Sequence, residues 1–244
     1  MSGQVAALQL AKLARLRFAR GKALWFCLGA AVLPVVLALA FAVGGKFGGG
    51  LVDELAAVFF RLLIPGLPAF LAAAVVADES DRRTFTYLFT RPNPRAAFVA
   101  GQFLVIAIAV GGLMLLSVAV TWILCWLRSP GDMISDLGHL LRLECGVLVG
   151  TFAFAALGLG LSVLLRTHAF LIITVYLLFD AGIGLVPLSL RYGSLSWHVG
   201  NLGGLVAAGL GEGPISPVGS LLVIACLSSL ALLIATWRVQ QIEP

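Results

Sequence analysis

Four ionisable residues stand inside stretches that are otherwise apolar: Asp180 in "YLLFDAGIG", Arg61 in "VFFRLLIPG", and Arg142 with Glu144 in "LLRLECG". A charge near the middle of a lipid layer costs about 2.5–3.5 kcal/mol on the insertion scale, which makes each of them a functional candidate. Asp180 is the deepest, placed by its position in its run near the bilayer middle and slightly toward the outer side. Three roles are open to it. It can pair with Arg61 or Arg142, or accept from backbone donors, as a structural bridge. It can line a substrate path, with Gly182 and Gly184 making room. It can relay protons, although no second acid lies at matching depth.

The remaining reactive side chains form no constellation. His139 and His198 fall near one membrane surface and His168 near the other, so no nucleophile and base share a depth, which argues against an intramembrane enzyme. Cys27, Cys125, Cys145 and Cys226 occupy separate apolar runs without a Cys-x-x-Cys pair, the pattern of buried free thiols. No metal-ligand spacing is present, and no cofactor is expected in this chain. The 244 residues also lack a Gly-x-x-x-x-Gly-Lys-Ser/Thr loop, the usual cradle for nucleotide phosphates.

The elements that must position these residues are membrane helices. Hydrophobic residues make up 61% of the chain and charged ones 11%, and the mean hydropathy is +1.07, far from the balance of a soluble domain. A helix needs about 20 apolar residues to cross a bilayer. Six runs qualify: 23–43, 56–77, 98–127, 140–165, 169–190 and 217–237. Lipid offers no partners to backbone polar groups, so runs of this length must be helical. The expected fold is all-α, a polytopic bundle of six transmembrane helices occupying 23–244, preceded by a basic segment 1–22.

An even number of crossings puts both termini on one side. Eleven of the sixteen Lys and Arg residues fall on that side, among them Lys12, Arg15, Arg17, Arg20, Arg82, Arg83, Arg91 and Arg95, so it is the cytoplasmic one. The basic residues border apolar spans and form no soluble patch, which argues against a nucleic-acid partner. On the outer side, "VGGKFGGG" reads as a flexible tether between the first two helices. The glycine-rich stretch before the last helix reads as a short re-entrant segment at about 197–212, with Trp197 at the headgroup level. Gly146 and Gly150 let the fourth helix approach a neighbour closely, within the bundle or at a subunit interface.

One cytoplasmic loop concentrates charge. Between Asp78 and Arg95 the chain places three acids and four arginines. Residues 81–90 contain no Gly or Pro, and Phe85, Leu88 and Phe89 mark one face of a short helix. Arg83, Thr86, Tyr87 and Thr90 project from the other, acids crowd its start, and "RPNP" ends it. Such a helix can lie on lipid with its arginines at phosphates. The mixed charges and the exposed Tyr87 suit a protein surface better.

Glu79, Arg83-Thr84-Phe85, Tyr87-Leu88-Phe89-Thr90-Arg91-Pro92, Arg95 and Gly101-Gln102 resemble the segment after the second helix of ABC-2-type permeases, the membrane subunits of a class of bacterial ABC transporters. Arg83 stands where that family usually has Gly, and Gln102 where it often has Lys. "AKLARLRFARGKALWF" resembles the family's N-terminal elbow helix. The resemblance covers nearly the whole chain. It implies that 81–90 is the cytoplasmic coupling helix, with Arg82, Arg83, Thr86, Tyr87, Thr90 and Arg91 docking a separate ABC ATPase subunit that uses ATP and Mg. It also implies a second permease copy or a related subunit, the bacterial inner membrane, and export. The alternatives are a secondary transporter driven by an ion gradient and a non-transporting homologue that passes force to an envelope partner.

Overall fold

The computed structural model describes residues 22–81, 95–127, 130–165, 168–185, 189–205 and 215–241, and every element among them is helical. α1 spans Lys22–Val43. A short turn then brings Gly48 N–H to the Cys125 carbonyl at 3.0 Å. Glycine serves there because Gly48 has φ 99, a left-handed conformation that a β-carbon disfavours. The helix restarts at once, as α2 (Gly49–Val58), a π-helical turn (Phe59–Leu63) and α3 (Ile64–Asp81). The expected tether is thus shorter than its glycine content suggests, since Gly49 and Gly50 already belong to α2.

Proline explains the π turn. Pro65 has no N–H to give the Arg61 carbonyl, and its ring would press on that carbonyl in a regular α-helix. The Ile64 N–H instead reaches back to the Phe59 carbonyl, widening the helix immediately ahead of Pro65.

α4 (Arg95–Cys125) is followed by the short α5 (Pro130–Ser135) and by α6 (Leu137–Leu164). α7 (Ala169–Leu185) leads through a 3-10 turn (Ser189–Gly193) into α8 (Leu195–Gly203), and α9 (Pro217–Gln240) closes the described chain. Among the described residues five helices are long and apolar enough to cross a membrane: Trp25–Val43, Gly49–Asp78, Ala96–Cys125, Leu137–Leu164 and Pro217–Gln240. The run expected at 169–190 gives an α-helix of only 17 residues. With the rise of an α-helix that length falls short of the apolar layer. Residues 186–188 of that run lie outside the described residues.

α6 is the spine. α3 runs parallel to it: Phe60, Ile64 and Ala69 meet Gly146, Gly150 and Gly158 in turn. α9 does the same, since Ser220 near its start lies beside α8, which packs at Gly150, while Ala231 further along meets Gly160. A β-carbon at Gly158 would lie 2.6 Å from the Ala69 Cα, and one at Gly160 would lie 2.9 Å from the Ala231 carbonyl oxygen. Lipid supplies no hydrophobic drive between helices, so this backbone-to-backbone closeness is what packs them. The glycines of the fourth span therefore serve packing within the chain.

At one end of the bundle His139 Nε2 lies 3.2 Å from Asp53 Oδ1, and the Trp122 indole N–H reaches Asp136 Oδ2 at 3.4 Å. These contacts tie α2, α4 and the start of α6 together. Cys27 and Cys125 are buried and Cys145 and Cys226 exposed, all as free thiols.

Candidate functional site

The loop residues Arg82, Arg83, Thr86, Tyr87, Thr90 and Arg91 lie outside the described residues, as do 1–21 of the basic N-terminal segment. The helices that carry the loop are described. From Asp53 to Asp81 the chain of α2, the π turn and α3 is unbroken. With the rise of a helix that stretch crosses the apolar layer and reaches the headgroup regions. α4 is 31 residues long and covers a similar span on the return. Asp81 and Arg95, the described residues on either side of the loop, thus stand at the ends of helical runs long enough to cross the apolar layer.

The opposite end holds the densest polar structure among the described residues, built around Asp180 and α8. Asp180 lies just under one turn past the midpoint of α7 and is 3% exposed. Its Oδ1 accepts the Leu195 N–H at 2.7 Å, and its Oδ2 accepts the Ser196 N–H at 3.0 Å together with the Ser196 hydroxyl. The Ser194 hydroxyl donates to the Asp180 carbonyl at 3.1 Å and accepts the Trp197 N–H at 3.1 Å, capping the helix. The carboxylate thus sits on the positive end of the α8 dipole and takes up N–H groups that no helix can satisfy internally. Of the roles open to Asp180, this geometry gives it backbone donors.

A second polar chain joins α8 to α9. His198 Nε2 lies 2.9 Å from the Tyr192 carbonyl, which can only accept, so this nitrogen carries the proton. Nδ1, 3.0 Å from Ser220 Oγ, is then an acceptor for the serine hydroxyl. Asn201 Nδ2 donates to Ser220 Oγ at 2.7 Å and to the Ile215 carbonyl at 3.1 Å.

Trp197, expected at the headgroup level, is fully buried. Its ring packs edge-on against Tyr192 at 5.1 Å and His198 at 5.0 Å, with the Arg191 guanidinium 6.0 Å from its centroid. Tyr192 and Arg191 of the 3-10 turn thus pack against the ring. Within the expected 197–212 segment the described helix is Leu195–Gly203, and residues 206–214 lie outside the described set.

The other intramembrane candidates stand apart from Asp180's donors. Arg61 is an exposed member of the π turn, Arg142 is exposed, and Glu144 is half-buried on α6. The Arg142 stem passes Gly204, its Cδ 3.6 Å from where a β-carbon would stand. Gly204, at φ 73, closes α8 in a left-handed conformation, with its N–H returned to the carbonyls of Gly200 and Asn201. Residue type and spacing do not single out Ser194, Ser196, His198, Asn201 and Ser220. Their one sequence signal is local: serine ahead of a short apolar helix in "GSLSWHVG" is an N-cap pattern. Among the described residues no three His, Cys, Asp or Glu side chains gather in a way that could hold a metal ion.

This architecture agrees with comparison to known proteins. The family model described as ABC-2 family transporter protein matches residues 29–193, more than half of the chain and every described element from α2 to the 3-10 turn. No curated protein matches the chain. The matched stretch runs through both helices that carry the charged loop and through Asp180. The chain is a membrane protein of the ABC-2 transporter family.

Proposed function

We propose that the chain is the permease subunit of an ABC exporter, driven by a separate ATPase subunit that docks on residues 81–90. The observation that carries this reading is the place where the loop leaves the bundle. α3 ends at Asp81 and α4 starts at Arg95, each at the end of a helical run long enough to cross the apolar layer and reach its headgroups. A loop held there can meet a soluble partner, and ABC-2 permeases work with an ABC ATPase. ATP and Mg belong to that partner. Arg82, Arg83, Thr86, Tyr87, Thr90 and Arg91 form the docking face.

In this reading α7 counts as the fifth of six crossings, its deficit in length made up by the 3-10 turn and α8, and the 1–22 segment is the elbow. Both termini then lie in the cytoplasm of a bacterial inner membrane. Two copies, or one copy and a related subunit, enclose the pathway. An ion-gradient mechanism would need a titratable group free to exchange protons or ions near the midplane, and the Asp180 carboxylate is occupied by three donors.

The test is purification of the tagged protein in mild detergent with an ATPase assay on what accompanies it. An ATP-hydrolysing subunit should co-purify and be lost when Arg83 and Tyr87 are both changed to Ala. A protein that purifies alone, with function intact after Arg83→Ala and Tyr87→Ala, would return the loop to a lipid anchor.

A further inference from the structure

We propose that Arg191 binds the phosphate of a phospholipid in the leaflet at the α8 end of the bundle. That leaflet is the outer one if both termini are cytoplasmic, as proposed above, but the chemistry of the site does not depend on it. The Arg191 guanidinium lies over the Tyr192 ring at 5.4 Å and over the Trp197 ring at 6.0 Å. Ring faces hold a guanidinium in place and leave its in-plane N–H fork unspent. The Trp197 ring is itself fixed, fully buried and packed edge-on against Tyr192 and His198. Arg191 is half-buried, and among the described residues no carboxylate pairs with it. Asp180, the buried acid of this region, is taken up by three donors of its own.

The depth of the 3-10 turn points to the class of ligand. The Tyr192 carbonyl meets His198, and His198 meets Ser220, which lies just after Pro217 at the start of α9. The turn therefore stands about one helical turn, roughly 5 Å, inside the start of that helix. At the same level the neighbouring side chains are apolar and exposed: Phe179, beside Asp180 on α7, at 65%, and Leu221 and Leu222, after Ser220 on α9, at 46% and 62%. Such side chains belong among acyl chains, so Arg191 stands at the edge of the apolar layer, where a cation without an anion is costly. The short α7, 17 residues long, draws the bilayer surface toward this level. A phospholipid satisfies both halves of the site. Its phosphate oxygens match the planar fork, and its chains meet the exposed apolar residues of α7 and α9, the two helices that α8 packs between. A soluble anion would have to leave water for a place bordered by apolar side chains, with nothing gained from them.

The experiment is native mass spectrometry of the purified full chain in detergent, titrated with dioleoylphosphatidylglycerol. Dioleoylglycerol supplies the same chains without phosphate, and inorganic phosphate the anion without chains. The unchanged protein should take up a first phosphatidylglycerol roughly tenfold more tightly than a first dioleoylglycerol. Arg191→Gln should bring phosphatidylglycerol down to the level of dioleoylglycerol. Arg191→Lys, which keeps the charge without the fork, should fall between and serves if the glutamine variant is unstable. Arg142→Gln, which removes an exposed cation at the other end of α8, should leave the first binding step unchanged. Equal binding of the two dioleoyl lipids, or a first phosphatidylglycerol held in full by both Arg191 variants, overturns the proposal. Displacement of that lipid by inorganic phosphate at a similar concentration overturns the lipid assignment and makes Arg191 a site for a soluble anion. None of these outcomes depends on a partner ATPase.

Discussion

α8 is held on two sides by different physics. Toward α6 it is held by closeness alone: Val199 fills the Gly150 notch, Gly203 lies against Phe60, and no hydrogen bond is needed. Toward α7 and α9 it is held by directed bonds, from Asp180 to the helix start and through His198, Asn201 and Ser220 to the final helix. The glycine side tolerates no added atoms. The polar side tolerates changes of volume better than a lost donor or acceptor, because a group left unpaired in a low-dielectric surrounding bears its whole desolvation cost. A short helix is thus fixed between two walls of different kinds.

The largest effect is expected where the glycine seam meets backbone. Gly158→Val places a side chain 2.6 Å from the Ala69 Cα, which cannot turn aside, and should cost about 3 kcal/mol or more. Gly112→Val on α4, with nothing within 4 Å, should leave stability unchanged. Thermal unfolding followed by fluorescence-detected size exclusion compares the two. Equal behaviour would mean that the seam is slack and that its glycines do not set the helix spacing.

The polar side breaks at Asp180. Asp180→Asn keeps the shape but replaces one accepting oxygen with an amide that opposes a backbone N–H of α8. Leaving such a buried group unpaired costs about 1–3 kcal/mol. The same variant decides between clamp and pathway. Lowered stability with transport retained assigns Asp180 to holding α8, whereas normal stability with transport lost would put it on the substrate route.

The two sides also differ in how far they are legible in the sequence. The helical fold class follows from run length and composition, and Gly146 and Gly150 announce a seam by their spacing. The α8 clamp leaves almost no trace, because Asp180, Ser196, His198 and Ser220 are brought together from separate elements, and only Ser194 carries a local capping pattern. Pro65 and Pro68 mark the π turn, yet a proline pair in a run does not say whether a helix kinks, widens or ends. The burial of Trp197 within the protein is not legible for a similar reason, since it depends on Tyr192 and Arg191 folding over the ring.

The smallest expected effect lies at the far end of α8. Asp180 provides negative charge where the helix dipole is positive, and the Arg142 stem runs past Gly204, where the dipole is negative. Arg142 is exposed, so solvent and headgroups screen it. Arg142→Gln should therefore cost only about 0.5 kcal/mol. The informative measurement is the double variant with Asp180→Asn. If the two charges act on opposite ends of one dipole without touching, their costs should add, since sites without shared partners rarely couple. A clear departure from additivity would mean that α8 transmits strain along its axis. The glycine side would then be the more compliant of the two walls.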